Sequence, residues 1–555
     1  MATALQSRIL AAQGKIPCDT IIRNTHWLDV FTLQFRTGDV AIHGGHIVAT
    51  EPGLKAKREI DGMKRFLVPG FIDAHVHLES SMMVPSNFDK SVVKKGTTTA
   101  VCDPHELANV LGIEGIQFFL VAAAKANLDL RVMLSSCVPA THMETNGGGT
   151  LLAADLVPLK AHPKALGLAE MMNFPGVLAG APEVMEKIES FIDRPIDGHC
   201  PGLQGRPLSA YIAAGISSCH ESSELEEARE KLSKGMSVWI REGSVAKDLD
   251  ALVPLLNVAT SIGIGFCTDD RNPLDIETEG HIDHLVRRAI NRGVCPEVAF
   301  RSASWSVANH YGLRDRGAIA PGRLADIVIL DDPKTVAIRD VFRLGRLASE
   351  IDFGAAPVRI MDSMKAKAPA DADLAGSQGN VHIIEVTAGK ILTGRSVGRH
   401  DARGVAHLSV LERHGHGGRP VNAYVRGFGE KLDGAIASSV GHDSHNLIVV
   451  GSNVTDMKTA LASLIECGGG FAVVKDGQIL ARLELPLGGL MTSAEPTAIV
   501  DRLKTLRQAS RSIGCELPEP FLQLAFLSLP VIPTLKLTDK GLVDVDLFRI
   551  ISVAA

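Results

Sequence analysis

This chain of 555 residues has no glycine-rich phosphate loop, no paired-cysteine motif, no long uninterrupted apolar run and no excess of positive charge. Neither Gly-x-Gly-x-x-Gly nor a Walker-type loop follows any strand-like segment between residues 66 and 316, which argues against a dinucleotide- or nucleotide-binding open sheet. The nine cysteines are scattered singly. An odd number without a Cys-x-x-Cys pair fits reduced thiols better than a disulfide framework. Cys102, Cys137, Cys219 and Cys267 lie in apolar runs, where a thiol is a small buried hydrophobe. The longest charge-free apolar stretch, 251–268, is interrupted by Pro254, Asn257, Gly263 and Gly265. It predicts a helix, a turn and a buried strand rather than a membrane span. Residues 1–16 carry polar groups every few positions and lack the apolar core of a secretory signal. The formal net charge of −6 argues against nucleic acid or an anionic membrane as the main partner. The expectation is a soluble cytoplasmic protein acting on a small molecule.

What the chain does have is regular alternation. Its length exceeds what one hydrophobic core sustains, so two or three domains are expected. From residue 66, short apolar strands alternate with helical stretches. The strands are expected at 66–77, 97–103, 130–138, 165–171, 196–199, 216–220, 237–241 and 262–269. Helices at 280–292 and 296–311 close the set. Eight strand–helix units in about 250 residues match the length of an α/β barrel of the (β/α)8, TIM type. Residues 1–65 and 317–364 read as one small β domain built from both flanks, around a barrel at 66–316. Residues 365–378, rich in Ala, Asp, Lys and Pro, read as a linker. Residues 380–555 read as a separate α+β domain.

Active sites of such barrels lie where the strands end, so polar residues at those ends form the candidate site. Strand one ends in His75 and His77, whose i, i+2 spacing puts both imidazoles on one face. Strand two ends in Asp103, strand four in Glu170, strand five in His199, strand six in His220, and strand eight in Asp269 and Asp270. Buried together without a counter-ion these groups would be costly, so one or two divalent cations are expected among them. Some members have plainer readings. Asp103-Pro-His-Glu106 also fits a helix start, with Asp as N-cap, Pro at N1 and Glu at N3. His105 then reads as a surface residue of that first turn, and Glu79 and Glu221 as solvated or supporting groups. Alternation lets only one of the adjacent aspartates face the axis; Asp269 is preferred, with Asp270 the alternative.

The segments that carry these residues resemble the amidohydrolase superfamily and, within it, the bacterial adenine deaminases. Pro69-Gly-Phe-Ile-Asp-Ala-His-Val-His-Leu-Glu-Ser-Ser-Met-Met83, Gly96-Thr-Thr-Thr-Ala-Val-Cys-Asp-Pro-His-Glu106, Asp197-Gly-His-Cys-Pro-Gly202 and Cys267-Thr-Asp-Asp-Arg-Asn-Pro273 carry the likeness. Ser439-Val-Gly-His-Asp-Ser-His-Asn446 and Phe526-Leu-Ser-Leu-Pro-Val-Ile-Pro533 extend it to the C-terminal region. The resemblance implies hydrolysis of adenine to hypoxanthine and ammonia, in purine salvage, at two divalent ions per subunit. His75, His77 and Asp269 would hold one ion, His199 and His220 the other, and Glu170 would bridge them where many relatives use a carboxylated lysine. A ligand set without thiolate suits Mn, Fe or Zn, and the resemblance favours Mn2+. Catalytic roles would fall to Asp269, Glu170, His220 and Asp103. Asp103, Glu221 and Glu242 are the candidates for protonating the purine ring. A homo-oligomer, a dimer in the simplest case, is expected. Two other readings stand beside this one: a cyclic-amide hydrolase of the dihydroorotase or hydantoinase type, and a metal-free scaffold. The His442-Asp-Ser-His445 cluster reads either as a metal site or lid at the barrel mouth, or as a polar turn packed against it.

Overall fold

The computed structural model describes residues 3–354, 361 and 363–555. Residues 1–2, 355–360 and 362, at the start and end of the expected flanking β domain, lie outside the described residues. Eight short parallel strands form the expected (β/α)8 barrel. They are β1 (Phe71–Val76), β2 (Thr97–Cys102), β3 (Asp129–Leu134), β4 (Ala165–Met171), β5 (Ile196–Gly198), β6 (Ser218–Cys219), β7 (Ser237–Arg241) and β8 (Ile264–Cys267). β5-β4-β3-β2-β1 pair in one run and β6-β7-β8 in another. A parallel bridge between Val76 and Asp269 joins the first strand to the last. Every residue of β1, β2 and β4 is buried, as strands covered on both faces by helices require.

The single strand expected over 66–77 is divided at Gly70. Phe66–Pro69 belongs to another sheet, pairing in parallel with Cys18–Asp29 and antiparallel with Ile327–Asp332. A Cβ at Gly70 would lie 2.2 Å from Thr98 Oγ1, so only glycine lets the chain pass from one sheet to the other here. The flanking sheet thus combines strands from residues 18–69 with strands from 327–347. Under the barrel, Asp129 is gripped by Arg131, Lys164 and Arg316. The helix expected over 296–311 is two, Pro296–Ser302 and Trp305–His310.

Beyond residue 380, eight strands from Asn380–Val386 to Gln478–Glu484 form a largely antiparallel sheet. The helix Val454–Glu466 packs on it through Met457, Leu461 and Leu464. Leu374, in the stretch read as a linker, is fully buried in the same cluster, so this segment lies against the C-terminal sheet. That region docks on the rim where the barrel strands end. Asn87 Nδ2 donates to Ala494 O at 2.6 Å, and Thr538 Oγ1 donates to Met143 O at 2.6 Å. Met83 and Thr492 form a parallel bridge, and Lys90 pairs with Glu495 at 2.5 Å.

Candidate metal centre at the barrel rim

The strand-end residues meet. His75 is the penultimate residue of β1 and His77 follows the strand; their Nε2 atoms face each other at 3.1 Å. Glu170, near the end of β4, lies between two imidazole pairs. Its Oε1 is 3.7 Å from His75 Nε2 and 3.2 Å from His77 Nε2. Its Oε2 is 2.6 Å from His199 Nδ1 and 3.3 Å from His220 Nε2. Asp269 Oδ1 lies 3.5 Å from His75 Nε2 and 3.1 Å from His77 Nε2. His75 and His220 stack with centroids 3.9 Å apart. All six side chains are buried.

Local structure aims them. Asp269 adopts φ 53°, its N–H donates to His75 O at 3.0 Å, and its carbonyl accepts the His77 N–H at 3.1 Å. That left-handed turn closes the barrel and points the Asp269 carboxylate inward; Asp270 accepts the Ser80 hydroxyl and lines the same cavity towards Glu106 and His442. The Tyr211 hydroxyl donates to Met171 O at 2.6 Å and accepts the His199 N–H at 3.1 Å, fixing β5 against β4. His77 Nδ1 meets Asp103 O at 3.1 Å, leaving Nε2 for the centre.

The donor set fits a cation. Two imidazole nitrogens face one another while each carboxylate oxygen meets more than one of them, which no sharing of protons satisfies fully. One or more positive ions at the foci do. Five groups of ligand atoms lie close enough to share an ion: at the rim His75, His220 and Asp269; Glu170, His199 and His220; and His77, Asp103, His105 and Glu170; towards the cap His105, Glu106 and Asp443; and Glu106, Asp270 and His442. Burial opposes ionisation of Glu170, yet His220 and His199 hold its carboxyl well below the ordinary range. Asp269 is likewise held down, against burial, by His75, His77, His220 and Arg241. Burial and the neighbouring His220 press His75 down to about 4, whereas, against burial, the carboxylates Asp269 and Glu170 hold His77 up and Glu221 and Glu170 hold His199 up.

Around these six the structure corrects several expectations. His105 is a buried group, not a surface one. Its Nδ1 lies 2.9 Å from Asp103 Oδ2 and 3.4 Å from Glu170 Oε1. The helix begins at His105 rather than Pro104; Asp103 Oδ1 accepts the His105 N–H and the Ser135 hydroxyl. Glu79 is also buried, accepting the Leu107 N–H at 3.0 Å. Glu221 is buried beside His220 and bound by Arg241. Glu242 turns away to Arg288 and Leu249 N, and does not line the cavity at the rim. Arg241 was not expected. It ends β7, one residue before the expected Glu242, and its Nη1 reaches Asp269 Oδ2 at 3.0 Å.

The His442–His445 segment reaches the barrel mouth. Glu106 Oε1 accepts from His442 Nδ1 at 2.6 Å, and Glu106 Oε2 pairs with His445 Nε2. A narrow cavity lies between the metal-type cluster and this cap, walled on the cap side by His442, Asp443, Ile391, Phe526, Leu529 and Ile532.

Residues 66–348 match the model of the amidohydrolase family, and residues 385–549 match the adenine deaminase C-terminal domain. The adenine deaminase of Gluconobacter oxydans (strain 621H) is 49% identical over 98% of this chain and 99% of its own length. That of Cereibacter sphaeroides (strain ATCC 17025 / ATH 2.4.3) is 49% identical over 99% of this chain and 100% of its own. Adenine deaminase 1 of Rhizobium meliloti (strain 1021) is 47% identical over the same shares.

Proposed function

The chain belongs to the adenine deaminase family of amidohydrolases, and from that premise we propose that it hydrolyses adenine to hypoxanthine and ammonia. His75, His77 and Asp269 would hold one divalent ion, His199 and His220 a second, with Glu170 placed to serve both; Mn2+ is the first candidate, ahead of Fe2+ and Zn2+. One observation carries this reading: the two oxygens of Glu170 are divided between separate imidazole pairs. Bound ions supply Lewis-acid activation of the attacking water.

The chain's own groups do the rest. Asp269, kept ionised against burial by His75 and His77 with His220 and Arg241 behind them, takes the water's proton and delivers it to the amine leaving C6. Asp103 acts through His105. Burial disfavours the imidazolium, but Asp103 holds it well above its ordinary range, so a proton donor for the ring nitrogens stands beside Glu170. Glu221, tied to Arg241, and Glu242, tied to Arg288, are not available for that step. We further propose a cytoplasmic homodimer serving purine salvage, which size-exclusion chromatography with light scattering tests for the dimer. Among the described residues no helix is long and apolar enough to cross a membrane. The decisive assay is ammonia release from adenine by Mn2+-loaded protein, with metal content measured on the same sample. Full metal loading without ammonia overturns the proposal.

A further inference from the structure

Nine buried side-chain polar atoms among the described residues have no hydrogen-bond partner, and two of them belong to residues that line the cavity with the metal-type cluster. They are His442 Nε2 and Asp443 Oδ2. Both residues are 2% exposed, so their idle atoms are unfavourable in the free protein and become favourable once a ligand satisfies them. Their setting fixes where they point. His442 Nδ1 is committed to Glu106 at 2.6 Å, and its ring stacks on Phe526 with centroids 4.6 Å apart. That leaves Nε2 as the ring's remaining polar atom. Asp443 Oδ1 lies 3.9 Å from His105 Nε2, and the other nitrogen of that same imidazole lies 3.4 Å from Glu170 Oε1.

A single five-membered ring therefore separates Asp443 from the bridging carboxylate. A flat bicyclic base lying alongside it, with C6 at the Glu170 end, presents its opposite edge to the cap. In free adenine that edge carries an acceptor, N3, next to a donor, N9–H. We propose that Asp443 and His442, supplied by the C-terminal region, bind this edge: Asp443 Oδ2 accepts from N9–H and His442 Nε2–H donates to N3. The C-terminal region thereby selects the free base over purines substituted at N9, such as nucleosides. The inference rests on the reading of the chain as an adenine aminohydrolase. The ionisation states agree with it. Burial opposes the His442 imidazolium, but Glu106 and Asp270 hold it up to about 9, so Nε2 is a donor at neutral pH. Burial raises Asp443 only to about 6, so it remains an acceptor there. Ile391, Leu529 and Ile532 offer apolar contact to the base.

The test compares adenine, 9-methyladenine and 3-deazaadenine as substrates of the Mn2+-loaded full chain, wild type and Asp443→Ala, with Asp443→Asn as the conservative second variant. Wild type should lose at least about 100-fold in kcat/KM on 9-methyladenine, because a site built to bind an N–H rejects the analogue lacking it. It should lose about tenfold or more on 3-deazaadenine. Asp443→Ala should raise KM for adenine more than it lowers kcat, keep the wild-type metal content, and shrink the adenine preference to less than about tenfold. Equal turnover of adenine and 9-methyladenine by wild type overturns the inference, as does an undiminished preference in both variants. Metal-loaded wild type that releases no ammonia from adenine overturns the functional reading together with it, and that outcome is distinct from an altered substrate ratio.

Discussion

Two imidazole–carboxylate clusters meet across one cavity, and they are built on opposite plans. At the rim, Glu170 Oε1 faces imidazole nitrogens of His75, His77 and His105, its Oε2 faces those of His199 and His220, and the nitrogens of His75 and His77 face each other at 3.1 Å. In the cap, each oxygen of Glu106 has one short imidazole partner, His442 or His445, with His105 Nε2 farther off at 3.5 Å from Oε1. The rim is over-supplied with donor atoms around shared points, which is a cation's environment. The cap is closed by ordinary charge-assisted hydrogen bonds and works as a clasp between the barrel and the C-terminal sheet. The same residue types thus make a ligand set in one place and a lock in the other; geometry, not composition, separates them.

The largest effect that can break this comparison is at the rim. Glu170→Gln removes the charge that both imidazole pairs share and should lower metal content by at least one ion and kcat by about 1,000-fold or more. Near-full activity with full metal content would mean the carboxylate does not bridge. Next is Arg241→Met. Relieved of its cation, the Asp269 carboxyl should titrate higher, so the acid limb of kcat/KM moves to higher pH while activity at neutral pH falls about 10- to 100-fold. An unmoved acid limb would remove Arg241 from any part in setting Asp269. Smaller again is Glu106→Gln, which should leave metal content at the wild-type value, lower the melting temperature by a few degrees and reduce kcat/KM about tenfold. Loss of a metal ion in that variant would make the cap a cation site too and dissolve the distinction drawn here.

The rim was legible because barrel geometry converts sequence position into space. Strand ends fall in order along the chain, so His75, His77, Glu170, His199, His220 and Asp269 could be read off one after another. What the sequence hid is whatever depends on contacts across the fold. Glu106 looked like the third residue of a helix start, and nothing local shows that it meets His442, 336 positions later. His105 followed a good N-cap pattern and so looked exposed, because capping rules describe one helix, not what lies over it. Arg241 did have a signal, its place at the end of β7, but a cation at a rim expected to bind cations does not look like a member. Gly70 split an apolar run that reads as one strand, since the sequence does not show Thr98 standing where a side chain would go.

The smallest effect sharpens the contrast from the side of charge. At the rim, imidazoles and carboxylates face one another; in the cap, the Lys536 ammonium is held with no anion against it. Lys536 is fully buried, and its Nζ donates to the carbonyls of Ile391 and Phe526, each at 2.9 Å, both residues of the cavity wall. Burial with only carbonyls for company lowers its pKa to about 7. In the unfolded chain a lysine keeps its proton to about pH 10.4. Between these values the unfolded state binds more protons than the folded one, so stability rises with pH across that window and is constant below it. Urea midpoints of wild type and Lys536→Met should therefore diverge in favour of wild type from pH 7 to 10, with the gap at pH 6 the smallest. A gap that does not change over pH 6–10 would mean that Lys536 keeps its proton in the fold, and that some anion compensates it in the cap as Glu170 does at the rim.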